Sequence, residues 1–199
     1  SVEYNTRVCR SRNIDGPYVD IHGNSAMGSA QLYPILTAPY RFDNSYGWVG
    51  ISHCGIFDDG AGNWFYTSQG RFPVNVGGNE YSNAIMMGHV RSIRWDANGW
   101  PLVMPERYGA VPQAPITENE IAGDWEHLAL TNSTGTQRTS ETMTYDLDTH
   151  KITSGSWKNA TWTFDAATQT ITTSAGVVLY LQREVDWEAS PRTHTIVYA

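Results

Sequence analysis

The stretch GWVGISHCGIF, residues 47–57, is the segment around which the sequence is organised. Alternate positions in it are apolar, and it ends at an Asp-Asp-Gly turn signal at 58–60. The alternation predicts a β-strand with His53 at its centre, on the same face as Val49 and Ile51. A histidine in such a strand is either a core side chain held by backbone carbonyls or a functional ligand.

Short strands are predicted on both sides of this segment, and no stretch indicates a long helix. Clusters of Gly, Asn, Asp and Pro separate the strands, and the Asn98-Gly99 pair predicts a tight hairpin. The sequence therefore predicts an all-β fold. In the first part, one further strand is predicted to start at residue 4, and the others cover residues 27–36, 63–68, 84–95 and 101–103.

A change in composition predicts two units, 1–112 and 113–199. Residues 1–112 contain three Thr, whereas residues 113–199 contain seventeen. The segment 109–115, GAVPQAP, is the predicted linker because its prolines disfavour both helix and central strand.

The second unit has the pattern of a small β-barrel or β-sandwich. Thr117 and Glu120 form a capping-box pattern, which predicts one helical turn before the strands. The predicted strands that follow cover residues 125–130, 139–147, 160–165, 169–173, 177–182 and 194–198.

Composition and charge exclude several classes of function. The net charge of -7, without a cluster of Lys or Arg, argues against a nucleic-acid partner. No apolar run is long enough for a membrane helix. Eight Trp and eleven Tyr describe a packed globular protein whose rings could stack on sugars. Cys9 and Cys54 have no metal or redox spacing, and we expect buried free thiols rather than a bridge.

Several segments, in order along the chain, resemble the C-terminal part of two-domain endo-α-1,5-L-arabinanases of glycoside hydrolase family 43. The resemblance implies the last blades of a five-bladed β-propeller over 1–112, followed by an ancillary β-barrel over 113–199. The chain begins at Ser1 without a Met, and we expect it to be a piece of something longer. The matching segments are residues 8–20, 47–57, 71–73, 95–111 and 116–126.

No catalytic residue is expected in this chain. The resemblance implies that the general base, a pKa-tuning Asp and the general-acid Glu come from an N-terminal chain that completes the propeller. Asp186 and Glu188 lie in a predicted acidic hairpin and are expected at a rim. The acidic residues of the first unit lie in turns or beside Gly and Pro, which predicts solvated surface positions: Glu3, Asp15, Asp20, Asp43, Asp58, Asp59, Glu80, Asp96 and Glu106.

What the resemblance assigns to this chain is a metal ligand at His53. It implies a hydrated cation, calcium or another such as sodium, held beneath the active site mostly by waters. The motif departs from the family in reading SHC where GHN is usual. Arg71, His89 and Arg91 are weaker candidates for binding sugar hydroxyls, with structural cation pairing as their alternative.

The expected function is that of the C-terminal chain of an inverting, secreted or periplasmic glycosidase. It would cleave α-1,5-linked L-arabinofuranosyl bonds of arabinan only with its N-terminal chain. The alternatives are a non-catalytic carbohydrate-binding module, or an arabinofuranosidase or xylosidase of the same fold.

Overall fold

The computed structural model describes residues 3–28, 31–42, 45–131 and 136–199. Within these ranges the chain is all-β, which confirms the predicted fold class. Asp43 and two positions of the strand predicted over 27–36 lie outside the described residues.

The described residues form short strands and two single-turn 3-10 helices, Ser82–Ala84 and Glu118–Glu120. The strands are β1 Thr6–Arg7, β2 Ile35–Thr37, β3 Tyr40–Arg41, β4 Val49–Asp58, β5 Trp64–Arg71, β6 Met87–Trp95, β7 Pro101–Val103, β8 Gly123–His127, β9 Arg138–Thr139, β10 Glu141–Asp146, β11 Lys151–Ile152, β12 Trp162–Asp165, β13 Thr170–Thr173, β14 Val178–Asp186 and β15 Thr193–Tyr198.

The largest sheet of the first part is a four-stranded antiparallel meander in the order β4-β5-β6-β7. Its hairpin turns form where the sequence predicts them. The Asp59 carboxylate accepts hydrogen bonds from the backbone of Ala61 and Asn63 in the first turn. In the last turn Gly99 has a φ of +76°, a conformation that glycine adopts without steric cost.

Strand β4 departs from simple alternation. Its pairing with β5 shifts register between Val49 and Ser52 and again between Ser52 and Gly55. Gly50 and His53, one within each shift, have positive φ of 64° and 57°. The two bulges therefore interrupt the predicted alternation of side chains between the two faces of β4, because each extra residue changes the direction of the side chains that follow it.

Other strand predictions differ from the structure in detail. The strand predicted over 27–36 is reduced to β2 at its end, and Met27 lies in a turn with 95% of its surface exposed. Strand β11 is too short to give a sequence pattern and was not predicted.

The capping box is confirmed, since the Glu120 side chain accepts from the backbone N–H of Thr117. Both cysteines are free, as expected, but neither is buried: Cys9 is partly exposed and Cys54 is exposed.

The second part consists of two antiparallel sheets around one core. The sheets β11-β10-β8 and β12-β13-β14-β15 are linked by a bridge between Lys151 and Thr161. Their inward side chains form an apolar cluster that includes Met143, Trp162 and Ile171, each at most 1% exposed.

Polar contacts join the two parts. Arg94 of β6 donates from Nη1 to the carbonyl of Leu181 at 2.5 Å and from Nη2 to that of Thr168 at 3.1 Å. Arg183 of β14 donates to the carbonyls of Ala114 and Pro115, so the end of the predicted linker lies against β14 without forming a strand. The division at 112/113 stays a prediction.

Replacing Arg94 with Met should lower the free energy of unfolding by about 2–3 kcal/mol, because the carbonyls of Thr168, Gln169 and Leu181 lose a charged donor. Urea denaturation of the parent and the variant measures this change.

The matched control is Arg12→Met, at an exposed position. Equal stability losses in the two variants would show that the Arg94 contacts do not hold the parts together.

Candidate functional site

His53 lies on the exposed half of β4, which forms one edge of its sheet. The first three residues of the strand are buried, whereas His53 and the residues after it are exposed. Among the described residues, His53 belongs to no group of three or more potential metal ligands. This chain therefore offers a hydrated cation one imidazole at that position, and the remaining ligands would have to be waters or groups from elsewhere.

His89 and Arg91 lie together on β6, as predicted, but they are buried, with 3% and 1% of their surfaces exposed. Arg91 Nη1 lies 3.1 Å from His89 Nδ1, and Arg91 Nη2 donates to the Tyr40 hydroxyl at 3.1 Å. The edge of the Trp48 indole packs against the imidazole. These are the contacts expected if His89 and Arg91 have a structural role and do not bind sugar hydroxyls.

Arg71 is not part of this pair. Its Nη1 donates to the carbonyl of Asn83 at 3.3 Å, and its buried Nε has no hydrogen-bond partner. Strand alternation places Arg71 on the face opposite Gly70, against which the His89 ring packs. The structure thus separates Arg71 from His89 and Arg91.

The His89 imidazole is held neutral. Burial, followed by the positive charges of Arg91 and Arg107, lowers its pKa to about 3. Because a guanidinium only donates, Nδ1 accepts from Arg91 and the proton is assigned to Nε2, which has no partner. A Cβ at Gly70 would lie 2.3 Å from the ring, so only glycine fits beneath it.

The structure also brings together a second group of ionisable residues, which the sequence did not predict. Carboxylate oxygens of Glu106, Asp186 and Glu188 lie within 4.8 Å of one another. Glu106 is 5% exposed and Asp20 is 1% exposed, so the surface positions predicted for them are wrong. A sequence signal did exist for Glu106, because it lies two residues after the apolar run PLVM at 101–104.

The environment of Glu106 favours its neutral form. Burial, then a hydrogen bond with Glu188 and the negative charges of Glu188 and Asp186, raise the pKa of Glu106 to about 10. Glu106 and Glu188 are in direct hydrogen-bond contact, whereas the two carboxyl groups of a glycosidase stand roughly 5–9.5 Å apart on either side of the bond that is cleaved. This pair is therefore not arranged as the acid and base of a glycosidase.

The His89 pKa generates a pH prediction. The unfolded chain binds a proton at His89 as the pH falls below 6.5, whereas the folded chain does so only near 3. This contribution to stability is present above pH 6.5 and is lost as the pH falls from 6.5 towards 3, by about 1.4 kcal/mol per pH unit for one such group.

Urea denaturation at several pH values should therefore show a shallower pH dependence for His89→Gln than for the parent. His22→Gln, at an exposed position, is the control and should keep the parental slope. Identical slopes for the parent and His89→Gln would contradict the neutral buried imidazole.

Comparisons with known proteins found a matching family model and several relatives of this chain. Residues 105–199 match the family model of the GH43 C-terminal lipocalin-like domain. An extracellular endo-α-(1→5)-L-arabinanase of Thermotoga petrophila is 28% identical over 63% of this chain, and extracellular endo-α-(1→5)-L-arabinanase 2 of Bacillus subtilis is 26% identical over 62%. The matched regions span 28% and 29% of these relatives.

Solved structures show the same fold over the whole chain. A glycoside hydrolase family 43 protein from Bacillus licheniformis aligns with a TM-score of 0.79 and 23% identity, covering 100% of this chain and 47% of that one. The endo-1,5-α-L-arabinanase of T. petrophila aligns with a TM-score of 0.79, 21% identity and the same coverage. Residues 105–199 therefore match the C-terminal lipocalin-like domain of glycoside hydrolase family 43, and the chain as a whole shares its fold with about half of each of these two solved proteins.

Proposed function

We propose that the chain is the C-terminal part of an endo-α-1,5-L-arabinanase that hydrolyses α-1,5-arabinan with inversion. The names of the two curated relatives support the substrate class. Because the chain spans less than half of the aligned solved structures, an N-terminal chain would supply the catalytic Asp, Asp and Glu. The relatives are named extracellular, which supports secretion. No helix among the described residues is long and apolar enough to cross a membrane.

The observation that carries this proposal is the exposed edge of β4. In the structure β4 pairs with β5 on one side and ends the four-stranded sheet on the other. Ile56 and Phe57, at its outer half, are 44% and 46% exposed. An exposed apolar edge strand is unfavourable in an isolated domain, so it is a suitable surface for the N-terminal chain to cover.

Within the completed protein, His53 would face that N-terminal chain and donate one imidazole to a hydrated calcium or sodium ion. The structure gives it no second protein ligand among the described residues, so no catalytic step is assigned to the ion. Of the three sugar-binding candidates, Arg71 is the one that is partly exposed, whereas His89 and Arg91 are buried. His89 and Arg91 would position the strand rather than contact the sugar.

A carbohydrate-binding module is the second candidate, favoured by a cleft of about 740 Å³ between the two parts. Trp64, Trp95 and Tyr108 line this cleft, and Trp95 and Tyr108 are 39% and 42% exposed. Partly exposed rings of this kind are suited to stacking on sugar faces.

Assays on linear arabinan with and without the N-terminal chain test the proposal. The chain alone should be inactive, and the two chains together should release product with inverted anomeric configuration, as followed by NMR. Hydrolysis by this chain alone would contradict the division of the site. Arabinan binding without any hydrolysis in the complex would favour the binding module, and release of single sugars from chain ends would favour the exo-acting alternative.

In the assembled enzyme, His53→Ala should lower kcat by about 10–100-fold with little change in thermal stability, because loss of an ion-holding group affects activity more than packing. His22→Ala is the control. Parental turnover in His53→Ala would contradict an ion-holding role for His53.

A further inference from the structure

A stack of aromatic rings and one guanidinium crosses from the first part of the chain to the second, and we propose that it positions Arg71 for sugar binding. Its members, in order, are Phe72, Trp48, Arg107 and Trp187, and this set is called the junction stack. This role rests on the proposed function, in which Arg71 is the partly exposed sugar-binding candidate. It assigns the second part of the chain a share in substrate binding.

The inner end of the junction stack is a pair of rings in the first part. The Phe72 ring lies on the Trp48 indole, with 4.8 Å between the ring centroids and 15° between the ring planes. Trp48 is 4% exposed, so the pair is anchored in the core of this part. Stacked rings fix the distance and the orientation between the two backbone segments that carry them.

Arg107 connects this pair to the second part. Its guanidinium lies 4.9 Å from the centroid of the Trp48 ring and 5.0 Å from that of Trp187, within the roughly 6 Å of a cation–π contact in both cases. The Trp187 indole N–H donates to the carbonyl of Arg107 at 2.7 Å, and a second guanidinium, that of Arg192, lies 4.7 Å from the Trp187 ring. Because Trp187 directly follows β14, the second part holds the junction stack through this residue.

Two residues of the junction stack flank Arg71. Phe72 follows it in sequence, and Trp48 precedes Val49, which pairs with Arg71 between β4 and β5. Among the described residues, the Arg71 side chain makes one hydrogen bond, from Nη1 to the carbonyl of Asn83 at 3.3 Å, and its buried Nε makes none. The backbone on either side therefore sets the position of this side chain more than its own contacts do.

The direction of a guanidinium matters for binding a sugar. Its N–H groups form a rigid planar fork, so they reach a given set of hydroxyl oxygens from one orientation. Removing the Trp187 ring would free one face of Arg107, and the movement would pass through Trp48 to the strand pair that carries Arg71. A displacement of about 1 Å at such a group is enough to weaken its contribution severely.

Steady-state kinetics of the assembled enzyme on linear arabinan test this role. Trp187→Leu should raise KM by about tenfold with little change in kcat, because a charged hydrogen-bond donor to the sugar is displaced while the reacting groups stay in place. Trp187→Phe keeps a ring beside Arg107 and should restore most of the parental KM.

A double-mutant cycle separates positioning from a general loss of stability. Arg71→Met should also raise KM by about tenfold, and Trp187→Leu should add little to it, because both changes remove the same contact with the sugar. Trp157→Leu is the matched control and should keep the parental KM. Trp157 is likewise a partly buried indole of the second part, but it packs against His127, outside the junction stack.

A second readout needs neither the N-terminal chain nor a substrate. The buried Nε–H of Arg71 should give a ¹H–¹⁵N NMR signal in this chain alone, identified by its absence in Arg71→Lys. Trp187→Leu should shift or broaden that signal, whereas Trp157→Leu should leave it unchanged. An assembled enzyme without activity on arabinan would contradict the proposed function, and the NMR signal would still decide whether Trp187 positions Arg71.

Three outcomes would overturn the inference. They are parental KM in a folded Trp187→Leu variant, additive effects of Trp187→Leu and Arg71→Met on KM, and an Arg71 Nε–H signal that Trp187→Leu leaves unchanged. Circular dichroism checks that each variant is folded. If Trp187→Leu does not fold, Arg107→Met, which removes the cation between the two indoles, takes its place with the same expected results.

Discussion

Burial of charge between the two parts of the chain is the constraint on which the rest of the structure depends. The apolar clusters lie mainly on either side of this junction, around Tyr66 and Trp48 in the first part and around Trp162 in the second. What crosses it is polar: Arg94 bonds to carbonyls near β13 and β14, and the buried Glu184 accepts from the backbone N–H of Gly109. Because hydrogen bonds are directional, they specify how the parts meet more narrowly than apolar contact would.

One hydrogen-bonded network connects the inner strand β6 to this junction. Arg91 bonds to His89 and to the Tyr40 hydroxyl, and both Arg91 and Tyr40 donate to the carbonyl of Pro105. Glu106 is the next residue, so the network holds its backbone in place. The neutral imidazole and the carboxylate cluster are therefore two ends of one buried polar structure, and a change at either end should affect the other.

Strand β4 has the opposite character, because the half that carries His53 is exposed. Two bulges turn it, and His53 takes a positive φ that is uncommon for a residue with a Cβ. Such strain persists where the surroundings or a function require it. In the proposed assembly the N-terminal chain covers this half of β4, and the backbone conformation of His53 would serve ion binding at that interface.

The sequence by itself determined the all-β class, most strand positions, the turns at 58–60 and 96–99, the capping box and the resemblance to glycoside hydrolase family 43. These features follow from local chemistry, because alternation, turn residues and short motifs each act over a few neighbouring positions of the chain. The same local logic placed Glu106 and Asp20 at the surface, where turn carboxylates usually lie.

Only the tertiary structure decided which polar groups are buried together. Glu106 and Asp186 are distant in sequence, and no local pattern records that β14 brings the second beside the first. The bulges of β4 are likewise set by its pairing with β5, because register belongs to two strands and not to one. Burial and register are properties of contacts between distant segments, and so the junction cluster and the exposure of His53 emerged with the fold.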